Sequence, residues 1–87
     1  MKFEVDLEVM PKAGISDPQG LTIERALPRQ GFDGIHEVRV GKRISFVVEA
    51  ADEDSARSLI EDAAQKILHN PVIEDFEYRL RVAEGVR

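Results

Sequence analysis

The first segment of the chain, from Lys2 to Met10, alternates polar and apolar residues. Its apolar positions are Phe3, Val5, Leu7 and Val9, and its polar positions are Lys2, Glu4, Asp6 and Glu8. A period of two predicts a strand with one buried face. Pro11 ends this strand because proline has no N–H to donate to a ladder.

Three further segments have a strand-like pattern. The last alternates Phe76, Tyr78, Leu80 and Val82 with Glu77, Arg79 and Arg81. Val38 and Val40 predict a second strand, and Ile44, Phe46 and Val48 predict a third. Gly41, Lys42 and Arg43 lie between these two and predict a turn, so the pair is expected to form a hairpin.

Apolar residues at steps of three and four predict the longer of two helices. They are Ala56, Leu59, Ile60, Ala63, Ala64, Ile67 and Leu68. Acidic residues at 52–54 stand where the helix dipole favours negative charge. His69, Asn70 and Pro71 stop the helix, and a histidine at its C-terminus is a favourable cation.

The shorter helix begins at a capping carboxylate, Asp17, followed by Pro18 at the first helical position. Ile23, Ala26 and Leu27 supply its apolar stripe. Pro28 cannot continue it, since an interior proline costs about 3 kcal/mol. The helix is therefore predicted to end or kink near Leu27, with Gly31 closing the turn.

The element order β-α-β-β-α-β predicts one α+β domain over residues 1–87. The expected architecture is a two-layer, ferredoxin-like sandwich, with two helices on one face of an antiparallel sheet. In that topology the first and last strands lie side by side. The acidic residues of the first strand would then face Arg79 and Arg81 on the outer face, where opposite charges stabilise the pairing.

Composition narrows the classes of function. The chain has 87 residues, no cysteine and a net charge of −5. Disulfides and thiolate sites are absent, and the charge is unsuited to nucleic acid or acidic membranes. The start of the chain lacks a signal-peptide pattern and no segment is long enough to span a bilayer, so a cytoplasmic protein is expected. A domain this small often gains stability by oligomerising.

Residues suited to catalysis are few. The two histidines, His36 and His69, lack metal-ligand spacing, no glycine-rich phosphate loop follows a strand, and no serine has a base near it in sequence. The candidates for binding are Asp17-Pro18-Gln19-Gly20 and the pair Arg39 and Lys42. The first is either a capped helix start or a place where Gly20 admits another backbone and Gln19 bonds across an interface. The second is either two solvated charges or a contact with an acidic or phosphate-bearing partner.

Taken in order, four short segments resemble the PurS family. They are Val9-Met10-Pro11-Lys12, Asp17-Pro18-Gln19-Gly20, Gly31-Phe32 and Val38-Arg39-Val40-Gly41-Lys42. The resemblance covers nearly the whole chain, and Pro28 departs from the unbroken first helix of the family. PurS is the small subunit of phosphoribosylformylglycinamidine synthase, an enzyme of purine biosynthesis.

The resemblance implies a subunit with no catalytic residue and no cofactor of its own. It implies a dimer, with a tetramer left open, that joins a PurQ-type glutaminase to a PurL-type synthetase. The whole complex uses ATP and glutamine, and this subunit supports ammonia transfer. The residues that the resemblance marks as partner or dimer interface are Asp17, Pro18, Gln19, Gly20, Arg39, Gly41 and Lys42.

Two other classes of function fit the same pattern. One is a dimeric regulatory module that binds a small molecule, which titration of the isolated chain with amino acids or nucleotides would reveal. The other is a small acylphosphatase-like hydrolase. Sites of that kind rely on an arginine and an asparagine near a phosphate-binding loop, whereas the one asparagine here, Asn70, stands at a helix stop before a proline.

Overall fold

A computed structural model describes residues 1–83. Its regular elements are β1 (Lys2–Pro11), α1 (Pro18–Ala26), a 3-10 turn (Pro28–Gln30), β2 (Lys42–Glu49), α2 (Glu53–Ala63), a π-helical turn (Ala64–Leu68) and β3 (Glu74–Val82). The strands form one antiparallel sheet in the order β2-β1-β3. The α+β class is thus confirmed, as is the adjacency of the first and last strands.

The core lies between β1 and α2. Phe3, Val5, Leu7 and Val9 are at most 2% exposed, and Ala56, Ile60 and Ala64 of the helical side are fully buried. Because β1 is the central strand, its apolar face is covered along its whole length. Flanking residues on β2 and β3, such as Phe46 and Leu80, are only partly buried.

The outer face of the sheet carries charge pairs at two of the three acidic residues of β1 that were predicted to face arginines, since Glu8 lies opposite Glu77. Glu4 lies opposite Arg81, with a 2.6 Å ion pair, and Asp6 lies opposite Arg79 in the register. Asp6 also pairs with Arg43 of β2 at 2.9 Å. The Arg43 contact lowers the pKa of Asp6, with a further contribution from the hydroxyl of Ser45.

The predicted hairpin around Gly41 is wrong. Lys42 and Arg43 do not form a turn, because both belong to β2 and pair with Val9 and Glu8 of β1. Residues 35–41 pair with no strand in the described chain and run directly into β2. The sheet of one chain therefore has three strands rather than four.

The first helix ends as predicted, at Ala26, with Leu27 as its C-cap. Pro28 then starts the 3-10 turn, and the N–H of Gly31 closes it on the carbonyl of Pro28 at 3.1 Å. Unlike α2, α1 does not lie over the sheet of its own chain. It buries only Gly20 and leaves Leu21 and Ile23 almost half exposed.

The second helix starts as predicted, where the Asp52 carboxylate accepts the N–H of Ser55 at 2.8 Å. Its apolar stripe is only partly buried, because the π-helical turn adds a residue and rotates the stripe. Ile67, within that turn, is consequently 81% exposed. Leu59 precedes the turn and is 55% exposed. His69 ends the helix and donates from Nδ1 to the carbonyl of Ala64 at 2.7 Å.

The molecule is less compact than a typical domain of the same length. Its radius of gyration is 16.9 Å, and it measures 51 × 31 × 16 Å. A compact domain of this length has a radius of gyration of about 12 Å. The extension comes from residues 12–41, hereafter the arm, which leave the sheet after Pro11 and return at Lys42. Within the arm only Gly20 is buried.

Candidate partner interface

The two sequence motifs meet at the base of the arm. Asp17 brings them together, because its carboxylate accepts two backbone N–H groups. Oδ1 takes the N–H of Gly20 at 3.0 Å and caps α1, and Oδ2 takes the N–H of Val40 at 2.8 Å. One side chain thus serves the cap predicted from sequence and a second contact 23 residues away.

Gly20 allows the two backbones to approach. A Cβ at this position would lie 2.5 Å from the carbonyl oxygen of Val38, which is too close for any side chain. The carboxylate of Glu24 accepts the N–H of Val38 at 3.0 Å, one turn further along α1. Gly20 thus admits another backbone segment, and this segment belongs to the same chain. We call the set of Asp17, Gly20, Glu24, Val38 and Val40 the latch.

Gly41 plays the same part where the arm rejoins the sheet. A Cβ there would collide with the carbonyl oxygen of Val9 and the Sδ of Met10. The end of β1 and the start of β2 are therefore held close by a residue without a side chain. The sequence interpretation of Gly41 as a turn residue missed this role.

Three of the candidate residues are exposed: Gln19, Arg39 and Lys42. Gln19 and Lys42 line one shallow pocket of about 210 Å³. Arg39 lies near enough to Asp17 to favour its ionised form. Pro18 lines an adjoining apolar hollow with Ile23 and Val40. The structure thus places all seven sequence-selected residues at one end of the sheet.

The electrostatics of the latch are set by Asp17. The N–H of Gly20 makes the largest contribution to lowering the pKa of this carboxyl below its ordinary value of 3.8, followed by the N–H of Val40 and then by Arg39. Asp17 is consequently ionised at neutral pH. A charged acceptor strengthens both of its hydrogen bonds.

Sequence reasoning overlooked Glu24. The signal for it was available, because Glu24 follows Asp17 by seven residues, which is two helical turns, and so lies on the same side of α1. Two carboxylates on that side can accept the N–H groups of alternate residues on a neighbouring segment. The apolar stripe of α1 does not by itself reveal this polar pair.

Within the described part of the chain, other kinds of site are scarce. No group of three His, Asp or Glu side chains in residues 1–83 is placed to hold a metal ion. No helix in the same residues is both long and apolar enough to cross a membrane. Within residues 1–83, the candidate functional site is therefore the latch together with its exposed neighbours Gln19, Arg39 and Lys42.

Several known proteins resemble this chain in sequence and in structure. A chain from Methanocaldococcus jannaschii, phosphoribosylformylglycinamidine synthase subunit PurS, is 37% identical over 82 residues, which is 94% of this chain and 99% of that protein. The subunit PurS of Mycobacterium leprae is 43% identical over 70 residues, covering 80% and 85%. The PurS subunit structure from Thermotoga maritima matches with a TM-score of 0.85 at 32% identity, covering 93% of each chain.

A second structure from Thermotoga maritima, described as PurLQS, contains a chain that matches with a TM-score of 0.85 and is covered to 99%. The family model for PurS, phosphoribosylformylglycinamidine (FGAM) synthase, matches residues 4–82. The match therefore includes both strands that flank the arm, the latch within it and the final strand. On this evidence the chain belongs to the PurS family of FGAM synthase.

Proposed function

We propose that this chain is the small, non-catalytic subunit of FGAM synthase in purine biosynthesis, acting in the cytoplasm. It would hold a PurQ-type glutaminase and a PurL-type synthetase together and support ammonia transfer between them. One observation carries this proposal: the chain matches a chain of the Thermotoga maritima PurLQS structure over 93% of its length. ATP and glutamine are consumed by the whole complex, and this subunit binds neither.

The arrangement at the base of the arm supports a docking role for that end of the sheet. The latch residues fix the backbone, and Gln19, Arg39 and Lys42 stand exposed around it. Lys42 of the shallow pocket and Arg39, next in sequence to the pocket residue Val40, suit an acidic surface on another subunit. In this proposal Asp17, Gly20 and Gly41 shape the interface, while the exposed three side chains make the contacts.

Reconstitution tests the proposed function. The chain is mixed with the glutaminase and synthetase subunits of its own organism, with ATP, glutamine and the ribonucleotide substrate, and amidine formation is followed. We expect glutamine-dependent activity only when this chain is present. Equal activity without the chain would contradict the proposal, as would saturable binding of an amino acid or nucleotide by the isolated chain in the absence of any complex.

A charge variant tests the docking surface. Arg39→Ala with Lys42→Ala removes both exposed cations and leaves the hydrogen bonds of the latch in place. We expect unchanged folding and oligomeric size, with at least a tenfold rise in the amount of subunit needed for half-maximal activity. Lys2→Ala with Lys66→Ala, an equal charge change at exposed positions elsewhere, is the matched control. A dose response identical to that control would rule out this docking surface.

A further inference from the structure

A short loop, residues 69–74, leads from the π-helical turn into β3, and its backbone is held by its own hydrogen bonds. The side-chain Oδ1 of Asn70 accepts the N–H of Val72 at 3.0 Å, and the carbonyl oxygen of Asn70 accepts the N–H of Glu74 at 2.8 Å. The Glu74 carboxylate accepts the N–H of Asn70 in return, at 2.8 Å. Pro71 adds a fixed φ. This segment, hereafter the 69–74 loop, therefore has a defined conformation without any partner.

Both ends of the 69–74 loop are attached to the rest of the molecule. His69 is only 9% exposed, and its ring meets the ring of Phe76 edge to face, with 4.8 Å between centroids. At the other end, the N–H of Lys12 donates to the carbonyl oxygen of Ile73 at 2.9 Å. The loop is thus fixed at the end of the sheet where β1 stops and β3 starts.

This fixed loop presents an apolar side chain to solvent. Val72 is 78% exposed, and among the large apolar residues of 1–83 only Ile67 is more exposed. Ile73, next to Val72 in sequence, is 39% exposed. Single exposed apolar residues are common on protein surfaces. A side chain on a backbone that is already fixed, however, loses little conformational entropy when a partner covers it. Val72 therefore has the properties of a binding anchor.

The charged groups in and next to the loop are paired within the chain. Asp75 pairs with Lys12 at 2.7 Å, and the Glu74 carboxylate is occupied by the N–H of Asn70. Burying an apolar side chain beside an unpaired charge would be costly, because that charge would lose water without gaining a partner. The surroundings of Val72 therefore suit an apolar surface on another protein.

The loop adjoins the docking surface proposed above. Glu74 lines the same pocket of about 210 Å³ as Gln19 and Lys42. Lys42 and Arg39 differ from the charges of the loop, because neither forms an ion pair with another residue of 1–83. One end of the sheet thus carries a fixed apolar anchor and, beside the pocket, two cations that are available to a partner.

We propose that the 69–74 loop is the apolar half of this docking surface and that a single partner protein covers both halves. The matching surface on that partner has an apolar recess for Val72 next to carboxylates that face Arg39 and Lys42. Complementary charges speed the encounter and fix its orientation, whereas burial of the valine slows dissociation. This inference rests on the proposed function, since the partner is one of the two larger subunits of the synthase.

Direct binding tests the role of the loop. The chain, as wild type and as Val72→Ser, is titrated separately into the purified synthetase subunit and the purified glutaminase subunit, with ATP and glutamine present. We expect the Kd for one of these subunits to rise about tenfold in the variant, as for a valine side chain withdrawn from a buried site. Thermal unfolding should be unchanged, because the substituted side chain is exposed in the free chain.

Val82→Ser is the matched control. It makes the same chemical change at another exposed valine, at the opposite end of β3. It should bind both subunits as the wild type does.

The variant Arg39→Ala with Lys42→Ala tests whether one partner covers both halves. It should weaken binding to the same subunit that Val72→Ser affects. Its effect should shrink at high NaCl, because salt screens exposed charges. The effect of Val72→Ser should persist at high NaCl, because an apolar contact is not screened.

Three results would overturn the inference. One is wild-type binding by Val72→Ser while the double variant binds weakly, which leaves the proposed function intact. Another is weakened binding to different subunits by the two variants, which means that the loop and the cations meet different partners. The third is a changed oligomeric size of the isolated Val72→Ser chain, which assigns the loop to a contact between copies. If the wild-type chain binds neither subunit and supports no activity, the proposed function fails as well.

Discussion

At the residue scale, the properties of the latch come from carboxylates that accept backbone N–H groups and from a glycine that has no side chain. Asp17 accepts from Gly20 and Val40, and Glu24 accepts from Val38. Gly20 contributes by having no Cβ, which leaves room for the carbonyl of Val38. Each of these contacts can be changed by a single substitution without altering the apolar pattern of the chain.

Gly20→Ala tests the close approach. The new methyl group must displace both the Asp17 carboxylate and the Val38 carbonyl, and overpacking of this kind costs about 1–3 kcal/mol. We expect a lower free energy of unfolding, measured in urea at one fixed chain concentration. Gly34→Ala is the matched control, because nothing lies within 4 Å of a Cβ there. Equal stability of the two variants would show that the backbones separate at no cost.

Acid tests the charge on Asp17. Its pKa is lowered in the folded chain by the N–H of Gly20, then by the N–H of Val40 and by Arg39. The stabilisation by Asp17 is therefore complete above its ordinary pKa of 3.8 and is lost as pH falls through the lowered value. We expect the amide proton signal of Val40 to titrate below the ordinary pKa, and Asp17→Asn to abolish that titration.

The control for this titration is Asp33→Asn, an exposed acidic residue in the same arm. It should leave the acid transition of the Val40 amide in place. If the Val40 signal titrates equally in the Asp17→Asn chain, the carboxylate does not hold the latch.

At the element scale, α2 shows where a regular pattern stops predicting burial. Steps of three and four marked both Ile60 and Ile67 as core residues, and the first of these is fully buried. The π-helical turn then widens the helix by one residue and carries Ile67 to the surface, at 81% exposure. Two isoleucines of one stripe thus have opposite environments.

Paired alanine variants measure that difference. Ile60→Ala removes a side chain from the core and should lower the free energy of unfolding by about 2–5 kcal/mol. Ile67→Ala, the same chemical change at an exposed position, should stay within about 0.5 kcal/mol. Chemical denaturation of both chains at equal concentration provides the comparison. A large loss for Ile67→Ala would mean that a second chain covers this position.

At the scale of the whole molecule, the alternating pattern of the strands determined the sheet. The apolar face of β1 is buried as its period of two predicts. Glu4 and Asp6 of β1 face arginines on β3 as the topology predicts, whereas Glu8 lies opposite Glu77. The motifs at 17–20 and 38–42 were also sufficient to indicate the PurS family. These features depend on local pattern and order, which a sequence contains directly.

Only the tertiary structure decided where the arm lies. A local pattern cannot tell whether residues 41–43 turn back or run on, because both outcomes use the same glycine and the same β-forming residues. The choice depends on long-range pairing, since Lys42 and Arg43 join β1 and Gly41 fits against Val9. The sequence by itself therefore determined three of the strands, the two helices and the family, while packing between distant residues decided the latch and the path of the arm into β2.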